Sequence, residues 1–435
     1  MNIRKIKSVL FLILVIAFSN CATQDNQPNV KQPAIRVSAP DVDSAEPAIA
    51  GAKDGNIFVV WVEHKADKSA DVMLQQYDLN GQQKGDKVRV NPQIGQATAW
   101  RGDPPSIAIS EDKLIYVGWT AKVETTAGLA TTLYLSVSRD DGRSFDSPVK
   151  VNDDSLPSDH GMHSLAIDNS GRVFMAWLDE RYLITNSPAL AEPAAQSSVP
   201  KAETKTEGTP HQHQEPNREV YFAVSENGGK SFTANRRLAS DVCPCCKTSI
   251  LAAPGGQIFV GWRQVLNDNF RHIALAASTD NGSTFSSPVI VSDDQWQINA
   301  CPVSGPALTL TADKTLKVVW FTAGKAGQPG LYSAESKDAG KTFLPRTMVN
   351  DSIVSGTPVL LSDNKLKNFV VWEGDGKMMS AILKDKTPSG ENQQELGDGN
   401  VVSATVNGEK IFISYVRKEN DRHIIWLSFL NKPLA

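Results

Sequence analysis

Ile57-Phe58-Val59-Val60-Trp61 reads as one buried strand: five apolar residues, β-branched or aromatic, ending in an indole. The chain writes that stretch again and again. IYVGW ends at Trp119, VFMAW at Trp177, IFVGW at Trp262, LKVVW at Trp320 and NFVVW at Trp372, and a seventh copy, IFISY, ends at Tyr415. Successive aromatic ends lie 58, 58, 85, 58, 52 and 43 residues apart. A period of roughly 40–60 residues marks a repeat architecture, in which each unit buries its apolar faces only against its neighbours.

Each Trp strand sits in a constant setting. A shorter apolar segment precedes it across a tight turn, as in PSIAIS (105–110) and HSLAI (163–167). Two further strands follow, as in TTLYLSVS (131–138) and PVKVN (148–152). Four antiparallel strands with tight turns, repeated, make propeller blades, so the expected class is all-β. Paired first and second strands begin near Glu46, Pro104, His163, Thr248, Pro306, Pro358 and Asn400, which favours seven blades, with six as the alternative. AIRVSAP (34–40) reads as a fourth strand and HIIWLSFL (423–430) as a third. Together they would complete one blade and close the ring, removing exposed sheet edges.

A turn motif recurs in register with the Trp strands. It runs Ser138-Arg-Asp140-Asp-Gly142-Arg-Ser-Phe145 and returns around Asp280 and Asp338, with Asn227 in a fourth copy. The carboxylate or amide can accept nearby backbone N–H groups, and glycine supplies the positive φ of the turn. These turns resemble the Asp boxes, or BNR repeats, of the sialidase-like β-propeller superfamily, including bacterial exo-alpha-sialidase-like lipoproteins. The resemblance spans roughly residues 33–431 and speaks to fold, because Asp boxes lie away from the active site.

The first twenty residues read as a targeting signal. Arg4, Lys5 and Lys7 precede an apolar run from Val9 to Phe18, too short to span a bilayer comfortably. The run ends at Cys21, as in a bacterial lipoprotein signal, where that Cys is acylated. Residues 21–32 read as a polar tether, and 33–435 as the propeller. The expected location is therefore the bacterial envelope, membrane-anchored, periplasmic or at the cell surface. The alternative is a plain secretory peptide. The charge of −4 and the absence of a basic face exclude nucleic acid as a partner. The one break in the period, about residues 185–217, is rich in Pro, Ala, Ser, Glu and Thr and reads as a disordered insertion holding His211 and His213.

Function should lie where the repeats differ. The loops leading into the first strands of blades two to five carry Arg101 and Asp103, then His160, Met162 and His163, then Cys243, Cys245 and Cys246, and then Cys301. Every Cys except Cys21 falls in this one loop class. Two chemistries fit. Thiolates with imidazole or thioether suit Zn or Cu(I). An exported chain with four remaining Cys also suits disulfides, with Cys301 tying one member of Cys243-Pro-Cys245-Cys246 and leaving a labile pair.

The sialidase resemblance implies an arginine trio, a Tyr nucleophile paired with Glu, and an Asp acid/base. Ile35-Arg36-Val37 is the nearest match to the expected first arginine motif, but it lies in a presumed outer strand. Arg101, Arg181 and Arg263, with Asp103, Asp179, Glu180 and Tyr182, are the catalytic candidates. The structural alternative is a loop ion-pair network. The expectation is a binding or envelope-accessory protein acting through a Cys/His-lined site. A glycoside hydrolase on acidic sugars and a scaffold for an envelope protein are the alternatives.

Overall fold

The computed structural model describes residues 34–98, 102–125, 128–185, 216–362, 368–383 and 393–432. Cys21, Arg101, His211, His213 and all of the insertion but its ends lie outside these residues. The described chain holds 28 strands arranged in consecutive groups of four. The fold is all-β, and its repeated four-stranded antiparallel sheets are those of a β-propeller. A five-residue helix, Arg181–Thr185, follows the third Trp strand where only loop was expected. Among the described residues no helix is long and apolar enough to cross a membrane.

The first strands of the groups are Asp43–Gly51, Ser106–Ile109, His160–Ile167, Ser249–Ala253, Ala307–Leu310, Ser355–Leu361 and Asn400–Asn407. Each pairs with the following Trp or Tyr strand, for example Ile57–His64 and Val173–Asp179. Every first strand touches the first strands of the groups before and after it, and Asn400–Asn407 touches Asp43–Gly51. Groups three and four join into an eight-stranded sheet through a single residue pair, Val242 with Gln264. Ile35 and Arg36 pair with Leu427 and Trp426, so the N-terminal strand completes the last group. Arg36 is bound there to Glu419 at 2.8 Å, far from any substrate-clamp role.

Fourth strands are shorter than their apolar patterns suggest. PVKVN contributes only Val149–Lys150, because the Asn152 side chain takes the Leu133 N–H at 3.1 Å in place of a backbone carbonyl. Asn91 does the same to Val72 at 2.7 Å. The third strand of group two is longer than expected, Gly128–Ser138, because its hairpin with Ile115–Thr125 stays in register to the turn.

Seven apolar clusters hold the groups together, and each draws on two consecutive groups. Trp119 packs on group one, Trp177 on group two and Trp320 on group four. Trp61 packs against Phe412 and Ile425 of the last group. Full burial of such an indole removes some 150–250 Å² from water. The indole N–H groups of Trp119, Trp177 and Trp320 are spent on Ser136, Asp179 and Asp294 at 2.9, 2.8 and 2.7 Å.

The recurrent turns bind these seams from outside. Asp280 accepts the Ser278 hydroxyl, the Thr284 N–H and the Thr284 hydroxyl at 2.7, 2.8 and 2.6 Å. Asp140 and Asp338 repeat the arrangement, and Asn227 copies it with an amide. Gly282 has φ +81° and presses on Phe222 of the preceding group, where a Cβ would stand 2.6 Å from the ring. Gly282→Ala should therefore lower stability by about 1–3 kcal/mol, from a positive-φ penalty plus the clash. Trp320→Ala should cost about 3–5 kcal/mol. Urea unfolding followed by indole fluorescence measures both.

Candidate functional site

The first strands do not run straight into their loops. Ladder register shifts between Ala45 and Ala48, Gly161 and Ser164, Ser355 and Val359, and Asn400 and Ser403. At each break one residue has positive φ: Glu46 at 54°, Met162 at 51°, Gly356 at 69° and Val401 at 51°. Such bulges cost energy, especially at a β-branched residue, and they re-aim the side chains beside them. They place an unusual set of polar groups beside the first strands. Glu46 meets His64 at 2.6 Å, a pair that sequence reading misses because it depends on the bulge.

Asp179, Glu180, Arg181 and Tyr182 are brought together, but by each other. Arg181 donates to both Asp179 oxygens at 3.0 and 2.9 Å, to Asp153 at 2.7 Å and to Asn235 at 2.9 Å, and it lies over the Tyr221 ring. Glu180 accepts from Arg218 at 2.6 Å, and the Tyr182 hydroxyl donates to the Asn217 carbonyl. His160 closes the network. Its Nδ1 meets the Thr131 carbonyl at 2.6 Å and its Nε2 meets Asp154 at 3.0 Å, with Asp179 at 3.5 Å. A carbonyl on one side and a carboxylate on the other call for protons on both nitrogens. Burial works against that charge, and the Asp154 hydrogen bond with the Asp179 and Asp154 charges overcomes it, so the pKa is raised.

Asp103, His163 and Lys247 form a second group. Asp103 accepts the Met162 N–H at 2.8 Å and the Thr120 hydroxyl at 3.2 Å. His163 is fully buried, and its Nδ1 stands 3.6 Å from Asp103, an electrostatic contact too long for a hydrogen bond. Neither His163 nitrogen has a hydrogen-bond partner. Lys247 reaches the Pro104 carbonyl at 3.2 Å. Burial pushes its ammonium down to about 8, with Asp103 opposing.

The cysteines gather in one place. Cys245 and Cys301 form a disulfide that ties the loop ahead of group four to the loop ahead of group five, with Cα atoms 6.2 Å apart. Cys243 and Cys246 are free thiols, both fully buried, with sulfurs 3.1 Å apart. The sulfurs of Cys243, Cys245 and Cys301 lie within 4.8 Å of one another, near enough to share a metal, although two of them are bonded to each other. Met162 belongs to the same buried cluster, whereas the imidazoles of His160 and His163 do not join the sulfurs.

Arg263 lies behind this cluster. It is fully buried over Trp296, donates to the Ser304 and Phe321 carbonyls at 2.9 and 2.8 Å, and accepts the Cys243 N–H on its own carbonyl at 2.9 Å. Arg263 Nη1 and Arg271 Nε and Nη1 are buried without partners. The Cys246 thiol and these two guanidiniums lower the Cys243 pKa, while burial and Cys243 push Cys246 up. Arg181 and Arg263 thus sit in separate environments, each committed to its own surroundings, and they do not meet as a substrate clamp.

A cavity of about 970 Å³ opens on this face. Asp103, Gly161 and Pro244 form part of its wall, which brings the middle of the cysteine loop to its surface. Its lining carries both signs: Lys65, Lys68, Lys122, Arg218 and Arg422 stand among Asp41, Asp43, Asp103 and Asp159. Lys65 and Arg218 are tied to Asp71 and Glu180.

No protein-family model matches the chain, and no curated protein does. Solved structures do. The polysaccharide lyase Uly1 is similar at 14% identity and TM-score 0.53, over 95% of this chain and 94% of that one. A PL25 ulvan lyase, solved bound to -[GlcA(1-4)Rha3S]-, is similar at 10% identity and TM-score 0.53, over 92% and 96%. A protein from Dyadobacter fermentans DSM 18053 is similar at 11% identity and TM-score 0.50, over 93% and 99%. At such identity the likeness concerns fold alone, a β-propeller.

The His160 network carries a pH signature. A raised folded pKa gives stability that is complete below the ordinary value of 6.5 and is lost as pH rises through the folded value. This contribution to stability should therefore be lost as pH rises above 6.5, and His160→Gln should flatten that slope. Urea midpoints measured from pH 6 to 9, in steps of about one unit, decide it.

Proposed function

We propose that this chain is an exported, lipid-anchored propeller of seven blades, closed by its N-terminal strand, that serves the bacterial envelope through thiol–disulfide exchange at Cys243, Cys245, Cys246 and Cys301. The observation that carries this reading is the gathering of four sulfurs from two loops beside buried guanidinium nitrogens that have no acceptor. Buried cations without a counter-charge are costly, and a thiolate is the anion at hand. Cys301 is exposed, so the bonded pair has one end in solvent.

The exchange balances without an outside oxidant. The Cys243 thiolate attacks the Cys245 sulfur, a Cys243–Cys245 bond forms, and Cys301 leaves as a solvent-facing thiolate. Cys246, giving up its proton, then attacks Cys243 and releases Cys245. The disulfide has moved to Cys243–Cys246, and the outer pair is reduced. The two released thiolates regain one proton from Cys246 and one from solvent. The outer pair can then reduce a disulfide in an envelope partner. Peptide mapping after acid-quenched alkylation should find both linkages, Cys245–Cys301 and Cys243–Cys246, and Cys243→Ser should abolish the second. A single unchanging Cys245–Cys301 bond, with Cys243 and Cys246 always thiols, would count against exchange. The anchor is tested separately, since Cys21→Ser should release the protein from the membrane fraction.

A carbohydrate-active reading is favoured by a different observation, a cavity lined by lysines and arginines among aspartates, Asp103 included, on a fold similar to polysaccharide lyases. Acidic polysaccharide would be held by Lys68, Lys122 and Arg422, without a sialidase-type arginine trio. Calorimetry with a uronate oligosaccharide should give salt-sensitive binding that weakens about tenfold or more in a Lys122→Ala/Arg422→Ala double variant. No heat at low ionic strength would remove this reading.

A further inference from the structure

We infer that the cysteine cluster becomes a binding site for a soft d10 metal ion, of the Cu(I) class, only when the Cys245–Cys301 disulfide is reduced. This deepens the exchange reading above and rests on its premise that the disulfide opens within the fold.

The geometry supports a two-state site. With the bond intact, only Cys243 and Cys246 offer thiols, and their sulfurs are 3.1 Å apart, closer than two ligands of one ion normally stand. The other two sulfurs are bonded to each other. Reduction changes the donor set without moving a strand. An external dithiol gives two electrons and two protons to Cys245–Cys301 and leaves as its own disulfide. Cys245 and Cys301 are then thiols, and with Cys243 they offer three sulfurs already within 4.8 Å of one another. Metal–sulfur bonds of about 2.3 Å put ligand sulfurs roughly 4 Å apart, so the Cys245 and Cys301 sulfurs, once unbonded, must swing apart by about 2 Å, a side-chain rotation between Cα atoms 6.2 Å apart. The ion replaces the thiol protons, which pass to solvent.

Charge and softness select the ion. Three thiolates around a monovalent ion keep two negative charges. The buried Arg263 and Arg271 guanidiniums, with three unpartnered nitrogens between them, balance that excess. Three soft thiolates favour Cu(I), and Met162 shares the buried apolar cluster of Cys243 and Cys245. Among the described residues no imidazole or carboxylate joins the sulfurs, so a hard ion finds no ligand set here. The oxidised state thus presents a disulfide, and the reduced state a metal trap, within one loop cluster.

The test uses the whole wild-type protein in both redox states. Oxidised protein and protein reduced with a dithiol and desalted anaerobically are each dialysed against buffered Cu(I), and separately against Zn(II). Reduced protein should show two more thiols than oxidised protein, retain about one ion per chain, and give thiolate-to-copper absorbance, while oxidised protein retains essentially none. Cys301→Ser, reduced, should lose affinity by more than the roughly 10–100-fold that an outer-shell partner typically costs. Equal uptake in both states, or an unaffected Cys301→Ser protein, would overturn the inference. If the extra thiols appear and no ion is retained, this inference fails alone. If reductant yields no extra thiols, or unfolds the chain by indole fluorescence, the exchange reading fails with it.

Discussion

Everything in this molecule depends on a seam that no single sheet can make alone. A four-stranded sheet has two faces and covers neither, so each second strand drives an indole or a phenol into the group before it. The burden is shared seven times, and the last seam joins the last group to the first. The Asp and Asn turns are the same constraint seen from outside. Their glycines allow the backbone to lie on the neighbouring sheet, as Gly282 does on Phe222, and their carboxylates absorb the turn's N–H groups.

A frame held at its seams leaves the inner ends of its strands open to variation. Those ends are where the strain sits. The bulges at Glu46, Met162 and Val401 place non-glycine residues at positive φ near the starts of first strands. The polar contacts they create run from group to group. Asp103 takes the Met162 N–H, and the Met162 carbonyl in turn takes the Thr248 N–H at 3.0 Å. The cysteine loop hangs from this belt, fixed on one side by Arg263 and bonded on the other through Cys301.

The frame is largely legible in the sequence because its signals are local. An apolar run ending in Trp, and Ser-x-Asp-x-Gly-x-Ser/Thr-Phe, each specify their own geometry within ten residues. The N-terminal strand is legible too, since Ile35 and Arg36 match the fourth-strand pattern and pair with Leu427 and Trp426. The site is legible only as a loop class. That the cysteines converge follows from the repeat. Which sulfur Cys301 takes depends on loop geometry, and Cys245 and Cys246 are adjacent in sequence. His160 sits in that loop class but is consumed by Asp154 and the Thr131 carbonyl, and Arg181 is consumed by Asp179 and Asp153. Charged residues in the loops that lead into first strands look alike in sequence whether they face a ligand or one another. The Glu46–His64 pair escapes notice because a bulge, which has no fixed residue signature, puts it there.

The central claim is that the four sulfurs form one reactive cluster rather than a staple and two bystanders. The linkage map of a Cys301→Ser variant, refolded in air and alkylated under denaturing conditions, tests it most directly. The account predicts a new disulfide between Cys243 and either Cys245 or Cys246, with one thiol left. Three alkylated thiols, at Cys243, Cys245 and Cys246, would contradict it.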